Sequence, residues 1–161
     1  QRITGFLQTW TDLDMAPYQI RQSLVTLGAG GWWGAGLGRG WQKLSFLPEA
    51  KTDFVFAVIA EELGLIGTLG VICLWVCVFW FGLSMLTPLP RRSFRFALGV
   101  TLLTQLVLQA AVNACVVTAL LPPKGIPHPL ISCGGSSLVM SVVSVGMILG
   151  LARDADRLEF R

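Results

Sequence analysis

Charge is what this sequence has least of. Only 13% of its 161 residues are Asp, Glu, Lys or Arg, against roughly 25% in a soluble domain, while 53% are hydrophobic and the mean hydropathy is +0.67. That balance argues against a soluble domain and for a membrane protein. The twelve basic residues, for a net charge of +3, are scattered among aromatics. They form no stripe able to follow a phosphate backbone, which argues against nucleic acid as a partner. No basic n-region precedes a short apolar core, so no signal peptide is legible. Cys73, Cys77, Cys115 and Cys133 match neither a zinc ligand set nor a disulfide framework, and are expected to be small apolar fillers. The glycine-rich stretch near residue 30 lacks the G-x-G-x-x-G spacing and follows no strand, which rejects dinucleotide binding.

What is present is length in apolar runs. Leu63–Leu86, Phe96–Leu121 and Leu130–Ala152 each exceed the about 20 helical residues that cross a bilayer core. The expected fold class is all-α: a polytopic membrane protein fragment with three transmembrane helices and a large extracytoplasmic loop that carries a short interfacial helix. Residues 1–53 form the loop, 54–152 the membrane region with spans near 54–86, 95–121 and 131–152, and 153–161 a cytoplasmic tail. Orientation follows from the positive-inside bias. Arg91, Arg92 and Arg95 crowd one short connection, and Arg153, Arg157 and Arg161 the tail; both belong in the cytoplasm. Residues 1–53 and 121–130 then face outward, which requires an earlier span upstream.

The outer segment has its own pattern. "YQIRQSLVTLG" spaces Tyr18, Leu24 and Leu27 along one helical face, with Gly28 in C-cap position, as in a helix lying at the interface. "GAGGWWGAGLGRGWQK" then packs seven glycines and three tryptophans between Gly28 and Lys43. It is either a tight loop anchored in the headgroup layer or a close backbone approach to a sugar. In "LLPPKGIPHPLISCGGSSL", four prolines forbid a continuous helix within apolar surroundings, as in a re-entrant or membrane-surface loop shielded by protein. The helix after it begins near Ser136 and Ser137 with Lys124 close in sequence. That is an anion site in outline, or equally a serine-capped helix beside a solvated lysine.

Three carboxylates enter the first span. On a straight helix Glu61 lies about 12 Å deeper than Asp53, so Asp53 alone stays at the water boundary, with Thr52 as a cap and Lys51 holding the acid ionised. An accessible, tunable carboxylate suits abstraction of a proton from a hydroxyl. A helix-start residue favoured by the macrodipole is the alternative. Glu61 and Glu62 are expected to be structural. Glycines 64, 67 and 70 and the Gly146/Gly150 pair read as small-residue packing faces. Gln105, Gln109 and Asn113 recur every four residues, as helix glue or as the lining of a substrate groove.

Taken together, "YQIRQSL", "GAGGWWGAGLG", "QKLSFLPEAKTDFVFAVIAEELGLIG" and "QAAVNACVVTALLPPKGIPHPLISCGGSSL" resemble the SEDS family of membrane glycosyltransferases, which includes FtsW, RodA and SpoVE. The resemblance implies the C-terminal part of a ten-helix protein that polymerises lipid II into peptidoglycan with loss of undecaprenyl pyrophosphate. It maps the family's essential aspartate onto Asp53, as general base for the acceptor 4-hydroxyl. Glu49 matches the glutamate of "LPEA" and Lys124 the lysine of the FtsW-type "LPTKG". Lys51, Lys124, Glu49, Ser136, Ser137, Gln109 and Asn113 are the substrate-binding candidates, with the leaving pyrophosphate at Lys124 and the Ser136–Ser137 helix start. "LGRGWQK" and "PPKG" lean toward the FtsW and SpoVE branch, hence septal wall synthesis in cell division, over RodA-like elongation.

Implied partners are lipid II, the nascent glycan, a class B penicillin-binding protein (a transpeptidase), other division proteins and the bacterial plasma membrane. The resemblance fixes no cofactor; it admits a divalent cation, Mg2+ or Mn2+, for which the sequence offers no dedicated ligand cluster. The alternative function is a lipid II transporter, and the 161 residues alone are expected to be inactive. Departures from the family pattern are Lys51 for histidine, Pro123 for threonine, His128 for leucine and Cys133 for tyrosine. Lys51 should hold the Asp53 pKa lower than a neutral imidazole would.

Overall fold

The structure, a computed structural model, describes residues 17–38, 53–122 and 124–159. The elements among them are helices: α1 (Tyr18–Gly30), α2 (Val55–Leu86), α3 (Phe94–Val117) and α4 (Gly135–Glu159). Three stretches, Val55–Leu86, Phe94–Val117 and Gly135–Arg153, are long and apolar enough to cross a membrane. Glu49, Lys51 and Thr52 lie outside the described residues.

The 32 residues of α2 would be about 48 Å long if straight, against a hydrocarbon core of about 30 Å. The excess is taken up by a break. Gly64 has φ 67° and ψ −161° inside the helix, and the two arms fold toward each other. Phe56 lines the same small cavity as Val71, Trp75 and Val76, although about 30 Å would separate residues 56 and 76 on an unbroken helix. The spanning arm is therefore 65–86, about 33 Å. Depth along α2 also changes: Glu61 and Glu62 sit beside the apex of the bend, not below Asp53 as a straight helix requires.

A broken helix exposes carbonyls on one side and N–H groups on the other. Here the Gly/Trp stretch supplies the partners. Ala35 N donates to Glu61 O (2.8 Å) and Gly36 N to Glu62 O (3.0 Å), while Leu65 N and Ile66 N donate to Gly31 O (2.9 Å) and Trp32 O (3.4 Å). Leaving four such groups buried and unpaired would cost about 1–3 kcal/mol each. Backbone must approach backbone for this to work. A β-carbon on Gly34 would collide with Glu62 O, and one on Gly64 with Gly34 N; both residues have positive φ. "GAGGWWGAG" and "EELG" are thus two halves of one structural joint, and Gly64 is its hinge point more than a packing face.

Helix α1 runs two residues past Gly28, to a left-handed Gly31 (φ 53°). Its buried residues are Ile20, Ser23, Thr26 and Gly30, with Tyr18 exposed and Leu27 packed against the cluster of Phe54, Phe56 and Val117. The Ser23 hydroxyl reaches Val117 O at 3.0 Å, satisfying a carbonyl that the end of α3 leaves open. Helix α3 stops at Val117, short of 121, because Ala119 turns left-handed (φ 57°) and the N–H groups of Leu120 and Leu121 fold back onto Cys115 O. Helix α4 starts at 135, later than 131, because Leu130 (φ 64°) closes a turn in which Ser132 N donates to His128 O. It then continues beyond Ala152 to Glu159.

The core lies between α2, α3 and α4: Trp75, Leu103, Leu106, Ala110 and Ile148 in the middle, and Leu86 and Leu89 at the arginine-rich end. Many other apolar side chains face outward, Leu74, Val76, Trp80 and Phe81 among them, as faces meeting lipid or further helices do. Cys73, Cys77 and Cys133 are exposed and only Cys115 is half-buried, so the expected filler role fits Cys115 best. Among the described residues, nothing lies within contact distance of a β-carbon built on Gly70, Gly146 or Gly150.

Candidate functional site

Asp53 and the proline-rich loop meet at the end of the helices opposite the arginine-rich turn. Asp53 sits one residue before Phe54, the N-cap of α2, and the first turn of that helix holds no acid. Phe54, Phe56 and Ala57 bury against Val117 and hold this entry in place. Asn113 then ties Asp53 to the loop. Its Nδ2 donates to the backbone carbonyls of Asp53 (2.8 Å) and Ile126 (2.7 Å), and Gln109 Nε2 donates to Pro127 O at 2.9 Å. The loop passes so close that a β-carbon on Gly125 would stand 2.7 Å from Asp53 Oδ2. The half-buried carboxylate therefore lies against the Gly125 backbone, one residue along the chain from the exposed Lys124.

The polar residues of α3 divide by burial. Asn113 is 1% exposed, Gln109 half-buried and Gln105 exposed. A step of four residues overshoots a helical turn by about 40°, so the three drift off the buried stripe Gly99–Leu103–Leu106–Ala110–Asn113–Val117 one after another. Asn113 and Gln109 act as glue for the loop backbone. The Asn113 amide is spent on two backbone carbonyls, those of Asp53 and Ile126.

The loop is also pinned further along, where sequence reasoning placed only a departure from pattern. His128 is 1% exposed. Its ring is parallel to Phe56 (centroids 6.2 Å, 3°) and tilted on Trp75 (5.6 Å, 54°), separations at which aromatic pairs contribute about 0.5–1.5 kcal/mol. The His128 N–H donates to Ser132 Oγ at 2.7 Å. Nδ1 lies 3.2 Å from Pro129 O and carries the proton, because a carbonyl only accepts. Burial pushes the imidazole below its ordinary 6.5, and the Pro129 bond pulls it partly back. The signal available in the sequence was a lone histidine between two prolines in an apolar loop.

Ser136 is exposed and Ser137 half-buried in the first turn of α4. The hydrogen bonds there are internal, Leu138 N to Gly134 O and Ser141 Oγ to Ser137 O. The structure thus joins Asp53, the Lys124–Gly125 backbone, Gln109 and Asn113 in one assembly, and no hydrogen bond links Lys124 to the two serines among the described residues. Nor, among those residues, do three or more His, Cys, Asp or Glu side chains converge as metal ligands would; they do not by themselves build a cation site.

Long apolar helices, a helix broken and re-closed by an inserted strip of backbone, and a carboxylate lodged against an ordered loop define a helical membrane protein with a polar site at one end of its spans. The chain belongs to the FtsW/RodA/SpoVE family, described as cell cycle proteins, whose family model matches residues 1–157. It is 46% identical over 150 residues to a protein of Halomonas elongata named "Probable peptidoglycan glycosyltransferase FtsW", covering 92% of this chain and 38% of that protein. Relatives of the same name in Thioalkalivibrio sp. (42% over 158 residues; 96% and 39%) and Hahella chejuensis (45% over 159 residues; 96% and 40%) are similar to it as well. The chain spans about two fifths of the length of these curated relatives.

Proposed function

We propose that the full protein to which this chain belongs is a peptidoglycan glycosyltransferase that joins lipid II to a growing glycan at the division septum, and that Asp53 is its general base. The observation that carries the proposal is the Asp53 carboxylate resting on Gly125, its backbone fixed through Asn113 to the loop that bears Lys124. A base held this way has its proton-accepting oxygen set before substrate arrives, which is the condition for efficient proton transfer.

The reaction balances simply. The acceptor sugar 4-hydroxyl gives its proton to Asp53, its oxygen bonds the donor anomeric carbon with inversion, and the bond from that carbon to pyrophosphate breaks with the electron pair leaving on undecaprenyl pyrophosphate. Lys124, exposed and next in sequence to Gly125, is offered as the cation that meets that developing charge. Ser136 and Ser137 at the start of α4 are offered as further anion contacts, and Glu49 and Lys51 as contacts from the loop entering Asp53. Residues 1–53 and the proline-rich loop face outward and the arginine-rich turn faces the cytoplasm of a bacterial plasma membrane. A class B penicillin-binding protein is the partner, and a divalent cation is an auxiliary. Transport of lipid II would use the break in α2 as a binding point; there the backbone groups of Glu61, Glu62, Leu65 and Ile66 are already bonded to residues 31–36, which favours the enzyme.

The test uses the full-length protein with its transpeptidase partner and labelled lipid II. Asp53→Asn should cut glycan formation by about 10²–10⁴-fold while lipid II binding persists. Glycan growth at the normal rate in that variant overturns the proposal.

A further inference from the structure

We infer that His128 is a positioning residue for the Asp53 site: as a neutral ring clamped by Phe56 and Trp75, it seats the Lys124–Pro127 segment against the carboxylate. This rests on the function proposed above. The loop has two kinds of attachment. One is polar, Asn113 and Gln109 holding the carbonyls of Ile126 and Pro127. The other is the imidazole, one residue further on, which with Phe56 and Trp75 walls a cavity of about 120 Å3 between α2 and α3. Phe56 belongs to the arm of α2 that begins just after Asp53, and Trp75 to the spanning arm. The ring therefore touches both arms of the bent helix and the loop at once, and fixes their mutual placement.

That seat tolerates only the uncharged ring. From α2 the groups facing the imidazole are Phe56 and Trp75; Ala110 and Ala114 of α3 line the same cavity, and Pro129 and Ser132 come from the loop itself. None of these ionises, so among the described residues nothing offsets a second ring proton. Burial lowers the imidazole pKa below 6.5. As pH falls through that lowered value the ring must charge, leave the apolar clamp and release the loop from Asp53. Activity is complete with neutral His128 and is lost on acidification beyond what Asp53 protonation alone accounts for.

The experiment compares full-length wild type, His128→Leu, His128→Ala and Asp53→Asn, each with the transpeptidase partner, in lipid II polymerisation from pH 5 to 8. His128→Leu keeps apolar contact without titrating. It should stay within about twofold of wild type at pH 7.5 and retain more activity on the acid side. His128→Ala, which empties the clamp, should lower kcat about tenfold with KM little changed. Superimposed pH profiles for wild type and His128→Leu, or an unaffected His128→Ala, overturn the inference. An inactive wild type or an active Asp53→Asn overturns the glycosyltransferase reading instead. Hydrogen exchange then decides His128 separately. Protection of the Ile126 and Ser132 amides, bonded to Lys124 O and His128 O, should fall on acidification in wild type and hold in His128→Leu; equal protection in both counts against it.

Discussion

Gly34 and Gly64 meet back to back, the nitrogen of the first standing where a β-carbon on the second would have to go. Thirty residues apart in sequence, they are the contact through which the Gly/Trp strip closes the broken helix α2. Both hold positive φ, so a side chain at either meets a steric collision and a backbone penalty of about 1–2 kcal/mol.

Gly34→Ala and Gly64→Ala should each destabilise the protein by at least about 2 kcal/mol. The double variant should cost less than the sum, because displacing one backbone already opens the joint for the other. Unfolding of the purified full-length protein in detergent, followed for all four species, measures both effects. Additive losses would mean that the two glycines act separately.

Gly125→Ala probes the carboxylate directly. The new methyl lies 2.7 Å from Asp53 Oδ2, so the acid must shift while the exposed loop backbone needs little adjustment. Glycan polymerisation should fall by about 10²-fold, the usual scale for a displacement near 1 Å at a reacting group. Thermal stability should stay near wild type.

Asn113→Leu removes the donor from two carbonyls and Gln109→Leu from one. With about 1–3 kcal/mol for each buried group left unpaired, the Asn113 variant should be the less stable of the two. It should also raise hydrogen exchange at both Asp53 and the proline-rich loop. Gln109→Leu should affect the loop alone.

Cys133 gives a test of orientation. It is exposed at the loop end of the bundle, whereas Cys73 and Cys77 lie within the apolar span. In intact cells carrying the full protein, a membrane-impermeant maleimide should label Cys133 and leave single-cysteine variants retaining Cys73 or Cys77 unlabelled.

Hydropathy made the three spans legible because uninterrupted apolar length has one physical meaning in a bilayer. The ends were less so. Ala119 and Leu130 stop α3 and start the turn before α4 by adopting left-handed backbone, and neither residue type announces that conformation. The break in α2 is not legible because Gly64, beside Gly67 and Gly70, resembles a packing face, and only the partner strip at residues 31–36 stabilises a broken helix. Asp53 stood out as a charge at the mouth of an apolar run. That its neighbour is Gly125, and that Asn113 joins the two, depends on contacts sixty and more residues apart, which no local pattern encodes.

The bonds from Ala35 and Gly36 to Glu61 and Glu62 join two stretches of backbone with no side chain as intermediary. Straightening α2 would break them together with those to Gly31 and Trp32, so this corner opens as one cooperative unit or not at all. Changes to the exposed side chains beside it, Trp33 and Leu37 among them, leave that latch untouched.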